Sequence, residues 1–226
     1  MDRQEKYLGE LKSFFWENSL SPEIFQLERL AHFADLLTEK NQEVNLISRR
    51  DIKNIIENHI FISAYISRFI PEKVSTFLDI GTGGGLPGIP LAIMNSSLKG
   101  VLVDSTSKKI NAVDEFVQKL KLGNVTPENY RVENEEFVEK YKDSFDLVVT
   151  RGTVPLVILF RYALPLAKKK AYLMTIKGGD LSREIETAKL KYNSHIKKIT
   201  FIELAYKPTN PRNEKDKKLV LVELSR

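Results

Sequence analysis

The sequence predicts an α/β protein: a mostly parallel sheet covered by helices on both faces, closed by a C-terminal antiparallel hairpin and preceded by a helical extension. Three observations carry this. From Thr76 onward short apolar runs alternate with helical patterns, the signature of a parallel sheet. The first of these runs ends in an acid and opens into five glycines within the eight residues Gly81 to Gly88. The last two apolar runs have no helix of useful length between them, so they must pair antiparallel at one edge.

Taken in chain order, residues 3–16, 23–39 and 51–69 place apolar side chains three and four apart, as in Ile24, Leu27, Leu30, Ala31 and Ala34, and read as helices. Ser21-Pro22-Glu23 reads as a helix start with Pro22 in the first turn. Between the second and third helices lies a polar link with an apolar-looking Val44-Asn45-Leu46-Ile47 inside it. Pro71 ends the helical section, dividing an N-terminal extension, residues 1–72, from a core, residues 73–226. Strands are expected at Phe77–Ile80, Val101–Asp104, Val125–Arg131, Phe145–Thr150 and Ala171–Ile176. Helices follow near Gly88–Met94, Ser107–Leu122, Asn134–Lys140, Val154–Leu166 and Leu181–Lys191. The closing pair is Ile196–Ala205 and Leu219–Leu224, joined by a segment, Lys207 to Lys218, that reads as a polar, mobile loop.

Composition narrows the chemistry. The 226 residues suffice for one core with an appendage. No apolar run approaches the roughly 18 residues of a membrane span, and the charged Met1-Asp2-Arg3-Gln4-Glu5-Lys6 lacks a signal-like core, so a cytosolic protein is expected. With no cysteine, disulfides, cysteine zinc clusters and thiolate nucleophiles are excluded. The three histidines, His32, His59 and His195, are widely spaced, so no metal site is expected. Net charge is +5, but residues 161–226 hold 16 Lys or Arg against 7 Asp or Glu. Clusters at Lys168-Lys169-Lys170 and Lys215 to Lys218 suit a polyanion such as nucleic acid.

The stretch from Phe77 to Gly88 reads as a strand delivering a ligand to a loop. Glycines allow positive φ and close backbone approach. A G-x-G-x-x-G at Gly83, Gly85 and Gly88 also suits a dinucleotide, but Asp79 would lie beside its pyrophosphate, a like-charge conflict. S-adenosylmethionine (SAM), with an ammonium group and no phosphate, fits better. Asp79 can alternatively cap the loop backbone. Asp104, 23 residues after Gly81, ends the next strand, where a carboxylate accepts from ribose hydroxyls or caps the following helix.

A parallel sheet finished by an antiparallel hairpin is the layout of class I SAM-dependent methyltransferases. Asn45-Leu46-Ile47-Ser48, His59-Ile60, Leu78-Asp79-Ile80-Gly81-Thr82-Gly83-Gly84-Gly85-Leu86-Pro87-Gly88-Ile89-Pro90-Leu91, Val103-Asp104-Ser105, Lys108-Lys109, Arg131-Val132-Glu133, Arg151 and Lys177-Gly178 together resemble the bacterial 16S ribosomal RNA guanine-N7 methyltransferases, the glucose-inhibited division protein B family. The resemblance runs from about residue 25 to the C-terminus. It implies N7 of a guanosine in the 530 loop of 16S rRNA, position 527 in the family, as substrate, free or in the small subunit. It also implies SAM contacts at Gly81, Leu86, Val132, Glu133 and Arg151; Asp79 and Asp104 follow from the class I layout. The chain departs from the family pattern at Thr150-Arg151-Gly152, commonly Ser-Arg-Ala, and at Ile62, usually Asp.

Arg151, just past the Phe145 strand, faces the edge where ligands bind, and is the expected positioning residue of the reaction. Arg49, Arg50 and Lys177 are candidate RNA contacts, the last at the cleft rim beside Gly178-Gly179. Phe14, Phe15 and Trp16 suit core packing better than an RNA surface. The absence of Asn/Asp-Pro-Pro-aromatic after that strand disfavours exocyclic amines as targets. A SAM-dependent enzyme acting on another RNA, a noncatalytic RNA-binding assembly module and a nucleotide-linked oxidoreductase are the alternatives. A monomer is expected.

Overall fold

The computed structural model describes residues 2–48, 50–152 and 154–225. Its centre is a seven-stranded sheet built from β1 (Thr76–Ile80), β2 (Lys99–Val103), β3 (Val125–Glu128), β4 (Phe145–Arg151), β5 (Ala167–Gly178), β6 (Ile196–Glu203) and β7 (Lys217–Ser225). The order is β3-β2-β1-β4-β5-β7-β6. The first five strands are parallel, and β7 runs antiparallel between β5 and β6. The order reverses between β1 and β4, which opens a crevice at their carboxyl ends, where ligands bind in such sheets.

The near-continuous apolar strands follow from burial on both faces. Along β1, Phe77 joins the core on one face and Leu78 the core on the other. The first face carries α1 (Arg3–Glu17), α2 (Ile24–Lys40), α3 (Ile62–Tyr65), α4 (Gly88–Met94) and α5 (Ser107–Lys119). The second carries α6 (Glu135–Tyr141), α7 (Leu156–Leu166) and α8 (Ser182–Tyr192). The N-terminal helices therefore share one core with the sheet. Phe61 is its aromatic hub, its ring centroid 4.8 Å from Phe14, 5.3 Å from Phe15 and 5.5 Å from Tyr206. Phe14 and Phe15 are core residues as expected, whereas Trp16 is 80% exposed.

Several boundaries differ from the sequence reading. Helix α2 starts after Glu23, so Pro22 lies outside it. The Glu23 amide donates to Gln26 Oε1 at 2.9 Å, and the Gln26 side chain reaches on to the Met94 carbonyl, also at 2.9 Å, tying α2 to α4. Residues 51–69 do not form one helix. They break into a 3-10 turn (Ile52–Asn54), a π-helical stretch (Ile56–Phe61), α3 and a second 3-10 turn (Ile66–Phe69). Strand β3 ends at Glu128, because Asn129 turns away to donate to the Asp104 carbonyl at 2.9 Å. The segment 207–218 is not a loose loop. Tyr206 and Asn210 are buried and bridge each other, Asn210 donates to the Leu204 carbonyl at 2.9 Å, and the Lys207 amide donates to Asn18 of the first helical layer at 3.0 Å.

Candidate functional site

Three hollows lie along the carboxyl ends of β1, β2, β4 and β5. The glycine turn after β1 lies between the first two, and Arg151 joins the second to the third. Gly81 has φ +69° and no atom within 4 Å of where a side chain would begin, so its open side can receive a ligand. Gly83 (φ +57°) continues the turn, while Gly85 (φ +87°) packs so closely on Ile89 that any side chain would collide with it. Gly85 thus shapes the loop and lines none of the three hollows.

Asp79 lies under this turn, fully buried. Its Oδ2 accepts from Thr82 Oγ at 2.7 Å and from the Gly88 amide at 2.9 Å, so it joins the turn to the first residue of α4. Its Oδ1 has no partner among the described residues. Burial pushes the carboxyl up to about 7, against the pull of those two hydrogen bonds, and Asp104 adds to the rise. The loop-capping role is therefore visible, with one oxygen left over.

Asp104 ends β2 with Oδ2 accepting from the Gly83 amide at 3.0 Å and Oδ1 from the Thr106 amide at 2.9 Å. It lines the first hollow, of about 350 Å³, together with Gly81, Val132, Glu133, Tyr130 and Tyr162. That volume falls in the range of small-molecule sites, roughly 300–1,000 Å³. Val132 and Glu133 sit there because the chain leaves β3 early and turns at Arg131, whose carbonyl accepts from Asn134 at 2.9 Å.

The second hollow, about 270 Å³, lies on the other side of Gly81 and is lined by Gly83, Leu86, Leu46, Ile47, His59 and Arg151 among others. Leu46 and Ile47 are placed by Asn41, whose side-chain oxygen accepts from both of their amides at 2.8 Å. His59 approaches Asp51 to 3.7 Å, but burial, Arg151 and Lys217 push its imidazole down to about 3. It is therefore neutral, and the approach is not an ion pair.

Arg151 lines both the second hollow and a third, of about 500 Å³, shared with Ile62, Gly152, Ile176, Lys177, Gly178 and Lys217. Its guanidinium donates to the carbonyls of Asn58 and His59 and to Ser63 Oγ. These acceptors belong to or adjoin the π-helical stretch, where irregular helix commonly marks a functional site. Burial lowers the Arg151 pKa to about 10, leaving it charged at neutral pH. Lys177 also lines this hollow, but its ammonium is held by Glu184 at 2.7 Å and the Val154 carbonyl at 2.6 Å. As a free cation for RNA it is thus pre-empted. Arg50 is exposed and lines none of the three hollows, and Arg49 lies outside the described residues.

The two lysine clusters separate. Lys168 to Lys170 begin β5, at the sheet edge away from the glycine turn, where Lys168 pairs with Asp146 at 2.8 Å. Lys217 and Lys218 pair in antiparallel register with Gly178 and Lys177 at the end of β5, and Lys217 lines the third hollow, while Lys215 precedes β7 and pairs with Glu57.

The family described as GidB, rRNA small subunit methyltransferase G, matches residues 26–212. This chain belongs to that family. Relatives named ribosomal RNA small subunit methyltransferase G include one from Chlorobium luteolum, 40% identical over 192 residues and covering 83% of this chain and 77% of its own length. Another, from Bacteroides fragilis, is 37% identical over 177 residues, covering 75% and 83%. Among solved structures, a putative O-methyltransferase from Klebsiella pneumoniae aligns over 100% of both chains with a TM-score of 0.61 at 12% identity. M. jannaschii TYW2 in complex with AdoMet aligns over 80% of this chain and 78% of its own with a TM-score of 0.55 at 14% identity. These two likenesses establish the class I fold and no more.

Within this GidB-family site the sequence reading missed Tyr130 and Tyr162, which sit in segments read only for their secondary structure, and it named Lys217 only as part of the Lys215 to Lys218 cluster, in a segment read as loose loop. The resemblance quoted Leu46, Ile47 and His59 without assigning them a site. No group of three or more His, Asp or Glu that could hold a metal occurs among the described residues. No described helix is long and apolar enough to cross a membrane.

Proposed function

We propose that this chain transfers a methyl group from SAM to N7 of a guanosine in the 530 loop of 16S rRNA. SAM-dependent methylation of small-subunit rRNA follows from membership of the GidB family. The family resemblance and the absence of an exocyclic-amine motif after β4 support N7 as the atom and the 530 loop as the target. We place the reaction in the cytosol, with the chain acting as a monomer.

The observation that carries the cofactor assignment is the glycine turn, with Gly81 open on one side and lining both the first and the second hollow. Asp79 lines none of the hollows and braces the turn from beneath through Thr82 and Gly88. Asp104, Val132 and Glu133 would hold the adenosine end in the first hollow. Gly81, Gly83, Leu86 and Arg151 would hold the amino acid end in the second, with Gly85 fixing the turn. When bound, SAM supplies an electrophilic methyl on a sulfonium.

Guanine N7 carries an in-plane lone pair and no proton, so the chain needs no general base. Its task is alignment, which alone can supply roughly 7–11 kcal/mol. Arg151 serves this by clamping the π-helical stretch onto the end of β4, holding the wall of the second hollow against the third. His59, kept neutral, adds no charge to that wall. Leu46, Ile47 and Leu86 supply the apolar part of the second hollow's lining.

The test is methyl transfer from radiolabelled SAM to unmodified 30S subunits and to free 16S rRNA, with 7-methylguanosine mapped by chain cleavage. A single labelled guanosine in the 530 loop is expected. Label at another site would overturn the substrate and keep the methyltransferase.

A further inference from the structure

The third hollow is lined by two cations that no carboxylate contacts among the described residues, Asp51, Asp79 and Glu57 acting on them only from a distance. Of the cations around it, Lys177 is matched by Glu184 and Lys215 by Glu57. Arg151 and Lys217 have no carboxylate in ion-pair contact among the described residues. Arg151 spends its donors on two carbonyls and a hydroxyl. Among the described residues Lys217 hydrogen-bonds Asn58 Oδ1 at 3.3 Å and Tyr206 Oη at 3.4 Å, neutral acceptors and long for an ammonium, whose charge-assisted bonds run to about 2.7–2.9 Å, and it lies 6.0 Å from the centre of the Tyr206 ring. Its burial, with Arg151 and Lys215 close by, pulls its pKa below the ordinary lysine value, against the weaker opposing pull of Glu57 and Asp51. A half-buried cation without a carboxylate in contact is costly, and an anion in the hollow would relieve that cost.

We propose that Lys217 receives a phosphodiester of the RNA strand carrying the target guanosine, seated in the third hollow between Arg151 and Gly178, and so positions the nucleotide without taking part in methyl transfer. The assignment rests on the RNA reading above. Three features favour it. Lys217 opens β7 in register with Gly178, so the sheet fixes where its ammonium emerges. It lines the third hollow and neither of the two that flank Gly81, which separates it from the amino acid end of the cofactor. Transfer to N7 moves positive charge from sulfonium to purine; a cation on the base would oppose that, whereas one on the phosphate would not.

The experiment compares the full-length wild type, Lys217→Gln and Lys217→Arg in steady-state methyl transfer to 30S subunits and 16S rRNA, with SAM affinity measured separately by calorimetry. The glutamine variant should raise KM for RNA about tenfold or more with kcat little changed. It should also reduce the salt slope of RNA binding by about one and leave SAM affinity as in wild type. Arginine should restore KM. An unchanged KM, an arginine variant as poor as glutamine, or a loss of SAM affinity matching the loss of rate would overturn the proposal, the last by assigning the anion to the cofactor carboxylate. If Lys217→Gln does not fold by circular dichroism, Lys217→Met keeps the apolar stem and is judged by the same outcomes. Wild-type labelling of RNA with an unaltered glutamine variant refutes Lys217 alone; no wild-type labelling refutes the RNA reading and the phosphate site with it.

Discussion

Replacing Asp79 by asparagine should make the ligand-free protein gain stability, relative to wild type, as pH rises. The carboxyl is fully buried and pushed from 3.8 up to about 7 by that burial. Below pH 3.8 it is protonated in folded and unfolded chains alike and contributes nothing. Between 3.8 and 7 the unfolded chain releases a proton that the folded chain retains, so wild-type stability falls; above 7 the whole cost is present. A rise from 3.8 to about 7, at about 1.4 kcal/mol for each tenfold change, makes that cost about 4 kcal/mol, more than half of which develops between pH 5 and 8. Asparagine does not titrate, and its amide oxygen can still accept from Thr82 and Gly88. Its NH2 would sit where Oδ1 now finds no partner, a pH-independent cost of about 1–3 kcal/mol. The signature is therefore the slope: the difference in urea-unfolding free energy between variant and wild type should shift by about 2–3 kcal/mol in the variant's favour from pH 5 to 8. SAM affinity, read by calorimetry, should fall at the same time if the turn that Asp79 braces holds the cofactor. A difference that stays flat with pH would refute the argument that a buried, destabilised carboxylate is held beneath the turn.

Two further substitutions probe the frame around it. Gly88→Ala would bring a methyl to 2.2 Å from Leu102 Cδ2 and 2.8 Å from Asp79 Oδ2, forcing α4 off the sheet. The overpacking should cost about 1–3 kcal/mol, exceeding the roughly 1 kcal/mol that alanine gains in a helix, and thermal unfolding should show a lower Tm with weaker SAM binding. Arg151→Ala should reduce methyl transfer at least tenfold while circular dichroism shows the fold retained, because it frees the Asn58 and His59 carbonyls and slackens the wall between the second and third hollows. Wild-type turnover from that variant would remove Arg151 from the site.

What the chain determines by itself are its local patterns. Apolar alternation is a property of neighbouring residues, so β1, β2, β4 and the helices between them were legible within a few positions, and the glycine turn announced a ligand because glycine adopts positive φ without steric cost and lets a ligand approach the backbone closely. The two acids that end β1 and β2 were legible for the same reason. Tertiary structure decided how each side chain is spent. The spacing of isoleucines in residues 51–69 suits one helix, but Arg151, arriving from β4, draws on the Asn58 and His59 carbonyls, and the segment becomes π-helical there. Lys177 reads as a free cation until α8 brings Glu184 to it. Lys168 to Lys170 and Lys215 to Lys218 look alike in composition; strand direction sends the first group away from the site and the second into it, because β5 runs parallel to β1 and β7 returns antiparallel. Charge, periodicity and glycine content are set along the chain, whereas pairing across the sheet depends on strand order and register, which no local window contains.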